Sequence, residues 1–483
     1  MSGIFDSVNT HTMRRTLTTL ILTAYTLAAI AQPSTDKTAA WYNRALKTGD
    51  LAKLTYFFSQ MPKGGDLHHH YSGAVYLESY LDWIKERNMR ISAISYKPVN
   101  KGTRAAITVD SLRKNNTLYR NLMSLWSTAD FENHYHDEVA PDQHFFNTFG
   151  YFGPISDNYK AGLAEIKKRA LQENVQYVET MLSGVKIPIP SQKHNAALYQ
   201  HQQEQSTAGL DAIFDQIKNS INEAAVVKAV NTYKAQLQEA RAGIDDEQFT
   251  MRYQTYTTRN NDPTTVFASL YASFRLCAAE RSMVAVNFVG PENGVVAMKD
   301  YWLHMQMFRY MKALPEFSKV HVALHAGELA LGMVKPEDMG YHIHDALLTA
   351  GAERIGHGVD LPYEGHAAEI LRYMASHGKA IEINLVSNEF ILGVKDGRHP
   401  IRMYYDAHVP MVIATDDAGV SRSSLTEQYV LLASRYGFSY REIKELVFNS
   451  IEYSFMSHAM KCSHKAVLRE RFAAFEHDMA YMP

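Results

Sequence analysis

Four short stretches carry the residue types that metal and acid–base chemistry need. "MPKGGDLHHHYSG" (61–73) sets His68, His69 and His70 in a row, and "HVALHAGE" (321–328) ends on His325 and Glu328. "RIGHGVD" (354–360) places His357 between two glycines, and "IATDDAG" (413–419) carries Asp416 and Asp417 side by side. Successive side chains of a strand point to opposite faces, so His68 and His70 can share one ion while His69 points away. His321 would lie roughly 13 Å back from His325 at ~3.3 Å per residue and is left out. Adjacent aspartates at a strand end also face opposite ways, so one can ligate while the other meets substrate or a neighbouring ligand. The glycines beside His357 would let the backbone come close to a ligand. Taken singly, each stretch has a bland explanation: a rim histidine, a satisfied core histidine, or an Asp that caps a helix. Taken together, three neutral imidazoles and one carboxylate suit one Zn²⁺ per chain, which lowers the pKa of bound water to about 7.

These residues fall at the ends of apolar runs of strand length. The runs are 64–71, 176–182, 247–258, 283–290, 320–328, 353–361, 380–388 and 409–417, and stretches of helical periodicity separate most of them. Eight strands alternating with helices predict an α/β fold, a closed (β/α)₈ barrel of the TIM type, whose chemistry sits at the C-terminal strand ends. Between Gly184 and Glu247 the apolar residues recur at helical spacing in an Ala-, Glu- and Gln-rich stretch. A helical insertion over about 185–247, after the second strand, is therefore expected.

Composition narrows the classes. The 483 residues are 46% hydrophobic, enough for a large core, and 49 Lys+Arg against 51 Asp+Glu give a net charge of −2. No basic block is dense enough to follow a phosphate backbone, so nucleic acid is not an expected partner. With only Cys277 and Cys462, a Cys-based zinc knuckle is excluded, and the one disulfide open to the chain would join those two. Met13-Arg14-Arg15, an apolar stretch and Ala29-Ile30-Ala31 read as a signal peptide over 1–31, with Met13 an alternative start. The expected product is one exported, periplasmic or secreted domain over 32–483 that starts at Gln32 and lacks a membrane anchor. Intact residues 13–31 on purified soluble cytoplasmic protein would refute this.

"MPKGGDLHHHYSG", "YVETMLSG", "VAVNFVGPEN", "ALHAGE", "DALLTAGAERIGHG", "IEINLVSNEFIL" and "VPMVIATDDAGVSRSSLTEQY" together resemble the adenosine deaminases, and among them the secreted, growth-factor-related branch. The resemblance runs from about Met61 to the C-terminal helices and omits the insertion. It implies zinc on His68, His70, His325 and Asp416, and a purine nucleoside as substrate. It further implies that Glu328 gives a proton to purine N1, that His357 orients or deprotonates the attacking water, and that Asp417 and the Gly290 backbone meet N7 and N3. A homodimer is compatible with it. Two departures stand out: Tyr71-Ser72 replaces an acidic residue that relatives present toward the ribose, and Asn287 stands where relatives carry Asp. Another C–N hydrolase on the same barrel, or a non-catalytic nucleoside-binding protein, remains the alternative.

Overall fold

The structure, a computed structural model, describes residues 34–128 and 139–482. The signal-peptide stretch lies outside the described residues. Eight strands follow in chain order: Gly64–His70 (β1), Val175–Met181 (β2), Thr250–Thr258 (β3), Met283–Val289 (β4), His321–Ala326 (β5), Arg354–His357 (β6), Ala380–Ile383 (β7) and Met411–Ile413 (β8). Each pairs in parallel with the next, as predicted. Parallel neighbours need long crossovers, and helices supply them on the outside.

Closure happens at the candidate site itself. The Asp416 N–H donates to the His68 carbonyl at 2.9 Å and the His70 N–H donates to the Asp416 carbonyl at 3.0 Å, which joins the turn after β8 to β1. The hydrogen bonds that complete the cylinder therefore also fix three candidate ligands relative to one another.

The later strands stop short of the apolar runs that predicted them. After β7 the chain goes directly into helix Leu385–Leu392, which ends at Gly393 with φ +63°. Apolar content alone does not separate a strand from a buried helix that continues it. The predicted insertion is present as helices Asn195–Glu204, Leu210–Ser220 and Glu223–Ala240. It packs on barrel helix Pro263–Ala279, with the Phe214 and Phe267 rings stacked at 5.1 Å. That helix starts where Asp262 accepts the Thr265 N–H and Pro263 opens the first turn. The β1–β2 connection is a second elaboration, absent from the sequence reading. It holds a three-stranded antiparallel sheet (Arg90–Ser92, Pro98–Val99, Ala106–Ile107) and helix Pro141–Phe152.

Cys277 and Cys462 are both free thiols, so the disulfide open to the sequence does not form. Among the described residues no helix is long and apolar enough to cross a membrane.

Candidate active site

One nitrogen each of His68, His70 and His325 and one carboxylate oxygen of Asp416 lie within 4.8 Å of one another at the C-terminal end of the barrel. His70 Nε2 is 3.1 Å from His325 Nε2, and Asp416 Oδ1 is 3.4 Å and 3.3 Å from the Nε2 atoms of His68 and His70. His68 Nε2 is buried and has no hydrogen-bond partner. Burial drives His325 well below the usual imidazole range and His70 down to about 4, so both are neutral ligands in waiting. At His68 burial works the same way, but the Asp416 and Glu382 carboxylates outweigh it and hold the ring up at about 10. Burial raises the Asp416 carboxyl, and the neighbouring His68 ring outweighs this and keeps it ionised. Converging imidazoles, a buried carboxylate and an orphaned nitrogen fit a divalent cation.

The far side of two rings is held as metal-binding histidines require. His68 Nδ1 donates to Glu382 Oε2 at 2.7 Å, and His325 Nδ1 donates to Asn287 Oδ1 at 2.9 Å. Asn287 thus keeps the acceptor that an aspartate would offer, while its Nδ2 donates to Gln254 Oε1 at 3.0 Å. His69 faces outward as expected, with Nδ1 at 3.0 Å from Thr180 Oγ1.

Glu328, just beyond β5, lies 3.7 Å from His357 Nδ1. Burial first, then the Asp416 and Glu292 charges, raises the Glu328 carboxyl well above its usual range and favours its protonated form. Burial takes His357 down to about 3, so this imidazole is neutral. The Asn388 Nδ2 amide donates to His357 Nδ1 at 2.9 Å, and Asn388 Oδ1 accepts from His399 Nε2 at 3.1 Å. Sequence reasoning gave Asn388 and His399 no role; polar residues inside the apolar "INLVSN" and the "HP" step were the available signal. Asp417 is buried with Oδ1 unpartnered, and burial together with Asp416 pushes its carboxyl well up.

Two expectations about local geometry need correction. Asp416 and Asp417 do not diverge by strand alternation, because β8 ends at Ile413; Asp416 takes φ +60° and turns the chain, and Asp417 begins helix Ala418–Ser421. His357 likewise sits at φ +70°. Left-handed backbone at a non-glycine residue costs about 1–3 kcal/mol and concentrates at functional sites. The glycines beside His357 make room for protein, not ligand. A Cβ on Gly356 would lie 2.6 Å from the His68 ring, and one on Gly358 would lie 2.5 Å from Tyr404 Oη. Gly73 is required in the same way, since a Cβ there would overlap the Asp417 carboxylate at 1.4 Å.

These groups open on a cavity of about 290 Å³ whose wall includes Ser72, Tyr256, Gly290 and the rings of Phe145, Phe146 and Phe149. The three phenylalanines come from helix Pro141–Phe152 and form an apolar roof. Sequence reasoning missed them, although "HFFNTFGYF" is conspicuously aromatic. A larger cavity of about 820 Å³ between loop 182–188 and helix Glu223–Ala240 contains none of the candidate residues.

The sequence profile of the family described as adenosine deaminase matches residues 205–470, more than half of the chain. The chain belongs to the adenosine deaminase family. The matched span holds His325, Glu328, His357, Asp416 and Asp417; His68 and His70 precede it, and geometry alone brings them to the site. An adenosine deaminase of Clostridium perfringens is 29% identical over 180 residues, 36% of this chain and 50% of that protein, so the match spans about half of that relative. The adenine deaminase of Arthrobacter aurescens has a similar fold, with a TM-score of 0.54 at 15% identity over 85% of this chain and 98% of that one. An amidohydrolase of Burkholderia ambifaria solved with bound zinc gives a TM-score of 0.53 at 16% identity over 89% and 95%.

Proposed function

We propose that the protein is a zinc-dependent hydrolase that converts adenosine or 2′-deoxyadenosine and water to inosine or 2′-deoxyinosine and ammonia. The observation that carries this reading is one cavity that joins the four-ligand cluster to a carboxyl kept protonated by burial, Glu328, under an aromatic roof. His68, His70, His325 and Asp416 would hold the zinc. When bound, zinc supplies the Lewis acidity that brings the ionisation of water into the neutral range.

The remaining chemistry belongs to the chain. Water attack at C6 disrupts the aromatic ring, which becomes easier as Glu328 passes its proton to N1. His357, a neutral imidazole with Nδ1 at 2.9 Å from the Asn388 amide, is placed to orient the attacking water and to take its proton. Asp417, neutral through burial, donates to N7, and the Gly290 backbone on the cavity wall meets N3. Phe145, Phe146 and Phe149 cover the base and exclude water.

Ser72 on the cavity wall favours a second reading in which the sugar contributes less to recognition and adenine itself, the substrate named for the Arthrobacter aurescens protein, is deaminated. Ammonia release from adenosine, 2′-deoxyadenosine, adenine and AMP, with and without a chelator, separates the two. Nucleosides should react fastest, chelator should abolish the reaction and zinc should restore it. Adenosine that binds without ammonia release would leave only a nucleoside-binding role.

A further inference from the structure

Behind the cavity, a buried carboxylate and a buried guanidinium grip the backbone of the segment that carries both His325 and Glu328. Glu292, beyond β4, is 1% exposed and Arg259, beyond β3, is fully buried. Glu292 Oε1 accepts the Gly327 N–H at 3.1 Å and Oε2 accepts the Glu328 N–H at 2.9 Å. Arg259 Nη2 donates to the His325 carbonyl at 2.9 Å and to the Phe288 carbonyl at 3.1 Å. Arg259 Nη1 lies 3.8 Å from Glu292 Oε2, and His342 Nδ1 donates to Glu292 Oε1 at 2.5 Å.

We propose that Glu292, backed by Arg259 and His342, is a positioning residue that sets the distance and angle between the cation ligand His325 and the proton donor Glu328. The physical case begins at Gly327. This residue has φ +74°, and a Cβ there would lie 2.3 Å from Asp360 Oδ1, so the link between ligand and donor is a glycine that imposes no conformation of its own. The two amides around that glycine would adopt several orientations if left to themselves. One carboxylate accepting both N–H groups fixes the donor side of these amides, and its charge strengthens both bonds in a dry setting. The guanidinium fixes the other end of the segment through the His325 carbonyl. The Gly327 carbonyl is held in turn by the Val359 N–H at 2.8 Å and the Asp360 N–H at 3.1 Å, so donor and ligand are fixed by strand ends β3 and β4 together with the turn after β6, which is the precision that an oriented proton transfer needs.

The proposal rests on Glu328 acting on substrate, and the test keeps the two questions apart. In Glu292→Gln the shape remains, but one oxygen becomes an NH₂ group facing an N–H donor, so at least one amide of the pair is released. Amide hydrogen exchange of the 325–329 segment in the metal-free protein should rise at least tenfold, while exchange of β1, β2 and β3 stays unchanged. In the zinc-loaded enzyme kcat should fall about 10–100-fold, the usual cost of losing an outer-shell partner, with KM within about threefold and zinc content unchanged. A purely structural role would instead lower yield and melting temperature and leave kcat per folded chain intact. If Glu292→Gln does not fold, His342→Gln loosens Glu292 from behind and should show the same pattern at smaller size. Unchanged exchange at 325–329, or kcat within twofold of the parent in a variant that exchanges faster, overturns the proposal. A parent protein that deaminates no purine defeats the proposed function alone, because the exchange result still decides whether the clamp exists.

Discussion

Two clusters of charged side chains share the barrel interior, one just beneath the other, and they are built on opposite principles. In the lower one Arg354 lies between Glu179 and Glu382, with Nη2 to Glu179 Oε2 at 2.6 Å and Nε to Glu382 Oε1 at 2.5 Å. Glu179 is further satisfied by the Phe455 N–H and the Tyr177 hydroxyl, and Glu382 by His68. Burial opposes ionisation of Glu382, but Arg354 and His68 more than offset it. In the upper cluster Asp416, Asp417, Glu328 and four histidines crowd together without a guanidinium of their own, and His68 Nε2 and Asp417 Oδ1 have no partner. The lower cluster is complete in itself and serves as a floor. The upper one leaves buried polar atoms open to further partners, as a site for a cation and a substrate requires. Glu382 connects the two, ion-paired below and bonded above to a candidate ligand.

The largest effect expected from this contrast is at Asp416. Asp416→Ala removes a ligand together with the only carboxylate among the four, so both bound zinc, measured by elemental analysis, and activity should be lost. Retained stoichiometric metal would show that the upper cluster is not the site. Next, Glu328→Gln should keep zinc and shape but slow the chemical step by about 10²–10⁴, the range for general acid–base catalysis. Because burial raises the Glu328 carboxyl well above 4.5, the protonated donor persists above the ordinary carboxylate range, and the parent kcat should fall as pH rises through that raised value. The same shift sets the sign of a stability effect in the metal-free protein. Glu328 supports the fold fully below pH 4.5 and progressively less as pH rises through its folded value. Glu328→Gln should therefore gain stability over the parent with rising pH, as followed by denaturant melts at pH 5 and pH 8. The opposite trend would place Glu328 with the compensated floor.

Arg354→Met tests the floor itself. Two buried glutamates lose their cation, and chemical denaturation should show about 3–5 kcal/mol of destabilisation. A change within 0.5 kcal/mol, roughly what a surface substitution costs, would mean that the floor is not a compensated unit. The smallest effect is expected at His69, which belongs to neither cluster. His69→Ala should keep zinc and turnover and lose about 1–3 kcal/mol, because the buried Thr180 hydroxyl is left without its partner. Loss of metal in that variant would contradict the outward placement of the ring.

The comparison also marks how far the sequence could be read. Strand alternation was enough to send His68 and His70 one way and His69 the other, because it acts between neighbours and needs no knowledge of the rest of the chain. Spacing to the end of an apolar run was likewise enough to choose His325 over His321. The rule failed at Asp416 and Asp417, where the strand has already ended and a left-handed residue aims the carboxylates. It failed again at the glycines flanking His357, which accommodate His68 and Tyr404, partners hundreds of residues or tens of residues away.

The sequence by itself determined the order and period of the barrel elements, the chemical types available at their ends and the presence of a helical insertion, since each follows from local periodicity and residue chemistry. Only the tertiary structure decided which distant groups complete the site. Barrel closure brings Asp416 to His68, helix Pro141–Phe152 brings its phenylalanines over the cavity, and Arg259 and Glu292 reach the segment between His325 and Glu328. These contacts join residues far apart in the chain, so their energies depend on distances in space that no local pattern encodes.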